Sequence, residues 1–118
     1  MRGSSSPSVV PLPFSDPAGV DPEAMLIASV ASCHMLWFLS ITRAAGWDVD
    51  SYTDDATGLL ARNDEERLAI TRIILRPAIV FAGNASDAGQ LSQLHHQAHE
   101  RCFIAKSLKC EITVEPPR

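Results

Sequence analysis

The 118-residue chain has no surplus of basic charge, no CxxC pair and no leader with an apolar centre. Ten Lys and Arg against fourteen Asp and Glu give a net charge of −4. That balance leaves no electrostatic footprint for nucleic acid or for an anionic membrane surface. Its three cysteines, Cys33, Cys102 and Cys110, are odd in number and widely spaced. Neither a secreted disulfide framework nor a zinc ribbon fits that pattern. Arg2 is followed by Gly, Ser and Pro instead of an apolar run, so no secretory leader is expected. A reducing, cytoplasmic setting follows, in which any disulfide is transient. The length suits one domain over 1–118, with room for one core.

The most consequential absence lies inside the chain. Between Ala24 and Thr42 there is no Asp, Glu, Lys or Arg. The stretch Asp21 to Gly46 reads as one long helix: Asp21 suits the N-cap, Pro22 the first turn, Glu23 complements the helix dipole, and Gly46 suits the exit. A helix apolar on every side is buried in protein or in lipid. Ser29, Ser32, Cys33, His34 and Ser40 are spread around it, and basic flanks are missing. These features favour a buried central helix over membrane insertion.

The remaining segments read as α+β structure. Residues 1–20 hold four prolines and predict an extended arm whose Val9, Val10, Leu12 and Phe14 tuck onto the body. Trp47 to Ala61 predicts a strand with Asp54 and Asp55 on an exposed or edge portion. Asn63 to Glu66 predicts a turn, and Leu68 to Phe81 a second strand that Pro77 interrupts and Ala82-Gly83-Asn84 ends. Ser86-Asp87 caps a helix to about Arg101, with Leu91, Leu94, Ala98 and Cys102 on one stripe. Lys109 to Val114 predicts the last strand. Helices packed on one face of a mainly antiparallel sheet are expected.

Cys33 and Cys102 are the sharpest candidates for chemistry. A thiol in an apolar helix is ordinarily an inert small hydrophobe. Cys33 lies about three turns into its helix, beyond the first turn where the dipole acts, so a reactive thiolate there needs a neighbouring cation. If the two helices pack together, Cys33 and Cys102 can meet, and a sulfenic acid on one can be captured by the other. Cys110 reads as core. His95, His99 and Cys102 share a helical face beside His96, an acceptable but uncommon zinc geometry, and a polar rim is the plainer reading. Glu23 stands ten residues before Cys33, about 15 Å along a straight helix. Either the helix breaks between them or Glu23 serves another chain's thiol.

Two motifs in order give the chain a resemblance. Asp21-Pro22-Glu23 leading to Ala31-Ser32-Cys33-His34-Met35, and Leu94-His95-His96-Gln97-Ala98-His99-Glu100-Arg101-Cys102-Phe103 with its continuation to Ser107, resemble the two cysteine motifs of the OsmC/Ohr family. These are osmotically inducible protein C and the organic hydroperoxide resistance proteins. The intervening Ile70 to Pro77 matches as well, and the resemblance spans about Ser4 to Pro116. It implies a thiol peroxidase reducing organic hydroperoxides, with Cys33 peroxidatic, Cys102 forming a disulfide with it, and a dithiol, in the family often dihydrolipoyl, restoring both. Glu23 matches the family glutamate that helps orient an arginine over the cysteine. The resemblance also implies an intertwined homodimer with active sites at the interface and no further cofactor or metal. It departs in one place: family chains begin with additional strands that carry the activating arginine, and this chain starts at the segment that follows them. Arg2 sits in no matching motif, and Arg43, Arg72, Arg76 and Arg101 match positions other than that of the catalytic arginine. A non-catalytic OsmC-like dimeric binding or structural module is therefore the alternative expectation.

Overall fold

Helix α1, Pro22–Ala44, is the spine of the chain in the computed structural model, which describes residues 4, 6–8, 10–83 and 87–117. Its ends follow the expected chemistry. Asp21 Oδ1 accepts from the Ala24 N–H at 2.7 Å, Pro22 occupies the first turn, and Gly46 leaves the helix at φ 84°. Within the helix, the hydroxyls of Ser29 and Thr42 donate to the carbonyls of Leu26 and Leu39 at 2.7 and 3.1 Å. Their polarity is thus satisfied by the helix itself.

Four strands follow: β1 Asp48–Asp54, β2 Thr57–Arg62, β3 Leu68–Leu75 and β4 Pro77–Ala82. Each of the two long strands expected from the sequence is broken in two. β1 pairs antiparallel with β4 and β2 with β3, so the segment is one long hairpin bent near Asp55 and Arg76. The bend is stapled. The Arg76 N–H donates to Asp54 Oδ1 at 2.7 Å, and its guanidinium Nη1 donates to the Asp55 carbonyl and Thr57 Oγ1 at 3.2 and 2.9 Å. Asp54, expected on an exposed or edge portion, is half-buried, and burial pushes its carboxyl above the usual range against the pull of the Arg76 N–H. Pro77 opens β4, where a missing N–H is tolerated.

Beyond the hairpin come α2 Ala88–Arg101, a short α3 Phe103–Ser107 that the sequence did not suggest, and β5 Glu111–Val114. Asp87 and Gln90 form a reciprocal capping box at the start of α2, while Asn84 and Ser86 lie outside the described residues. β5 joins β3 in parallel, giving one sheet of order β2-β3-β5 beside the β1-β4 pair. The architecture is α+β with mainly antiparallel pairing, the sheet divided in two.

α1 serves both sheets. Its later half packs Phe38 and Ile41 on Leu94 and Ala98 of α2, with Tyr52, Ile79 and Phe81 of the β1-β4 sheet around them. Its earlier half packs Val30 on Ile73 and Leu75, with Ile104, Cys110 and Ile112 around them. β2 crosses α1 closely at Gly58, where a Cβ would stand 2.5 Å from Ile27 Cδ1. The burial of α1 departs from expectation. Only the stripe Val30, His34, Phe38, Ile41 and Thr42 is buried, and Leu36 is 63% exposed, because α2 and both sheets cover one side of the helix. By length and composition alone α1 could also cross a membrane. The arm departs too: Leu12 and Phe14 stand 60% and 83% exposed instead of tucked in, and Val9 lies outside the described residues.

Candidate active site: a thiol pair beside an imidazole pair

Cys102 is the hinge between α2 and α3. Its extended backbone, φ −69° and ψ 110°, ends one helix and starts the next. There its side chain is buried, 1% exposed, in hydrogen-bond contact with the half-buried Cys33 thiol at the middle of α1. Burial, and next the hydrogen bond with Cys33, push the Cys102 thiol up, while the N–H groups of Ala105 and Ile104 pull it down. Cys102 is thus held as a thiol against a more accessible partner. Cys110 is half-buried and packs in the core around Ile73.

An aromatic rim belongs to the same two helical segments. Trp37, one turn beyond Cys33, meets the edge of Phe103 with centroids 5.6 Å apart, and the Arg101 guanidinium carbon lies 5.9 Å from the Trp37 ring centroid. Phe103 is 70% exposed and follows Cys102 directly. This gives the thiol pair an apolar approach with a cation at its margin.

Glu23 is not part of that group. It is exposed, and α1 runs unbroken from Pro22 past Cys33, leaving ten residues, about 15 Å, between them. A broken helix is ruled out as the means of joining them. Arg72 and Arg76 are occupied with Glu115 at 3.7 Å each, and Arg72 also approaches Glu111 at 3.9 Å.

His95, His99 and Cys102 do not form a zinc site: among the described residues no three His, Cys, Asp or Glu are grouped to hold a metal. His95 faces α1 instead. Its Nδ1 lies 2.9 Å from His34 Nε2, the rings stack at 5.2 Å, and Phe38 stacks on His95 at 4.4 Å. His34 Nδ1 is buried without a partner. A bare lone pair there costs less than an orphaned N–H, so His34 carries its proton on Nε2 and donates it to His95 Nδ1. His95 then carries its own proton on Nε2. Burial, and then the neighbouring His95 and His99, hold His34 down to about 4; burial lowers His95 to about 4. Both rings are neutral at neutral pH. The sequence singles out His34 and His95 separately but does not show that they meet. The available signal was a lone imidazole on each of two apolar stripes, His34 between Val30 and Phe38, and His95 beside Leu91, Leu94 and Ala98.

Known proteins share this arrangement of elements. An OsmC-like protein of unknown function from Vibrio cholerae is 46% identical, with a TM-score of 0.92 over 97% of this chain and 75% of its own. An organic hydroperoxide resistance protein OsmC from Legionella pneumophila superposes with a TM-score of 0.70 at 13% identity, covering 95% of this chain and 78% of that one. The organic hydroperoxide resistance protein OhrB of Bacillus subtilis gives 0.63 at 17% identity, covering 85% and 70%. At those lower identities the likeness is one of fold. No functionally curated protein matches the sequence. The family model for OsmC-like protein matches residues 15–116. Spanning nearly the whole fold and both cysteine-bearing segments, that match shows that the chain belongs to the OsmC-like family.

Proposed function

We propose that this protein is a thiol-dependent peroxidase that reduces organic hydroperoxides to alcohols. The observation that carries the reading is the Cys33–Cys102 contact, with one thiol reachable and the other sealed. The Cys33 thiolate attacks the terminal peroxide oxygen. The O–O bond breaks, the alkoxide takes a proton and leaves as alcohol, and Cys33 becomes a sulfenic acid. Cys102 then attacks the Cys33 sulfur. Its proton leaves with the sulfenic hydroxyl as water, and a disulfide remains. A dithiol reductant of the dihydrolipoyl type returns both cysteines to thiols and is itself oxidised to a disulfide. The Trp37–Phe103 rim favours an apolar alkyl group on the substrate.

The working unit in this proposal is a cytoplasmic homodimer. Its support is the apolar side of α1 left uncovered within one chain, together with exposed Leu59, Leu60 and Leu68. In such a dimer Glu23 orients a cation over the thiol of the other copy, a reading supported by its distance from Cys33 within one chain. Mixing the reduced protein with cumene hydroperoxide tests the reading: peroxide is consumed, two thiols are lost per alcohol formed, and peptide mapping finds Cys33 joined to Cys102. Peroxide loss that persists in Cys33→Ser would sink the mechanism. A reduced protein whose thiols do not react would leave a non-catalytic dimeric module.

A further inference from the structure

A cavity of about 450 Å³ lies between α2 and β5, and neither Cys33 nor Cys102 lines it. That volume is within the usual range of small-molecule sites, roughly 300–1,000 Å³. Leu91, Ile112 and Val114 give it apolar walls, and His95, His96 and His99 supply its imidazoles. His95 lines the cavity and is 8% exposed, and with Nδ1 committed to His34 its Nε2–H is the donor it has left to offer. Glu115, the one carboxylate among the described lining residues, is compensated by Arg72 and Arg76 at 3.7 Å each. It therefore does little to repel an anion.

We infer that this cavity binds a medium-chain carboxylate, a ligand separate from the peroxide chemistry at Cys33. The carboxylate accepts hydrogen bonds from His95 Nε2–H and from the imidazoles of His96 and His99. The alkyl chain lies along Leu91, Ile112 and Val114. His34 acts from behind: by donating to His95 Nδ1, it fixes the tautomer that presents a donor to the ligand.

Calorimetric titration of the full chain with sodium decanoate, alongside decanol and histidine ring NMR, tests this. Saturable one-to-one binding of decanoate is expected, at least tenfold tighter than decanol, with the His95 Nε2 resonance shifted. Ser92→Trp, which fills the rim from an exposed position, abolishes binding, and His99→Phe weakens decanoate tenfold while sparing decanol. Cys33→Ser, which abolishes the proposed peroxidase, binds decanoate unchanged, so the two readings fail separately. The inference is overturned by absent saturation, by equal affinity for decanol, or by an unmoved His95 resonance. Binding that emerges only on dilution to a monomer overturns it as well, since a second copy then fills the cavity. If Ser92→Trp does not fold, the His99→Phe comparison and the NMR map still decide.

Discussion

Cys33 and His34 are neighbours on α1, and each meets a side chain of its own kind from α2 or its end. Cys33 contacts the Cys102 thiol and His34 hydrogen-bonds with His95. The two meetings differ in access. The thiol pair has one half-buried member beside an aromatic rim, whereas His34 is 1% exposed and stacked in the core. Adjacent positions on one helix thus serve different ends, because a helix turns consecutive side chains about 100° apart. In the proposed chemistry one pair changes its covalent state, while the other joins α1 to α2 inside the core.

Substitution should separate the pairs. Cys33→Ser is expected to reduce hydroperoxide consumption to the uncatalysed background, with the urea midpoint nearly unchanged. Cys102→Ser should still consume about one equivalent of peroxide and then stop, leaving a Cys33 sulfenic acid that dimedone traps for mass spectrometry. His34→Ala should do the reverse. Removing a buried ring and orphaning His95 costs about 3 kcal/mol of stability, read as a lower urea midpoint, while the folded fraction retains its thiol chemistry.

Of the two pairs, acid should act on the imidazoles. Burial holds both rings down to about 4 in the folded chain, below the ordinary 6.5 of an imidazole, so the unfolded chain binds protons first as pH falls. Their contribution is complete above about 6.5, declines from there towards 4, and is level below it. Urea midpoints at successive pH values should trace that decline, and His34→Leu with His95→Leu should flatten it. A small effect at a distance from both pairs serves as the control. Asp54→Ala removes the acceptor for the Arg76 N–H at the hairpin bend and should cost about 1–2 kcal/mol, leaving peroxide consumption unchanged.

What was legible in the sequence was local. The ends of α1 follow from Asp21, Pro22 and Gly46, and the start of α2 from Asp87, because caps and left-handed exits are written in the residues that make them. The family and its two cysteines were legible from paired motifs. The bend at Arg76 was not, since its hydrogen bonds reach back to Asp54 and Thr57 across the hairpin. Nor was the His34–His95 contact, which joins residues 61 apart. The one-sided burial of α1 was also hidden: composition reports how apolar a helix is, but not how much of it one chain can cover.

The Trp37 ring has a consequence of its own. It touches Phe103 and Arg101, the two residues that flank Cys102, and it stands one turn from Cys33. A disulfide brings its two sulfurs to about 2.05 Å, which must draw the Cys102 hinge towards α1 and move both neighbours of the indole. The chain's second tryptophan, Trp47, rests on Phe81 beyond the far end of α1. Its emission should stay constant while that of Trp37 changes, giving the protein an intrinsic fluorescent gauge of its own oxidation state with a built-in reference.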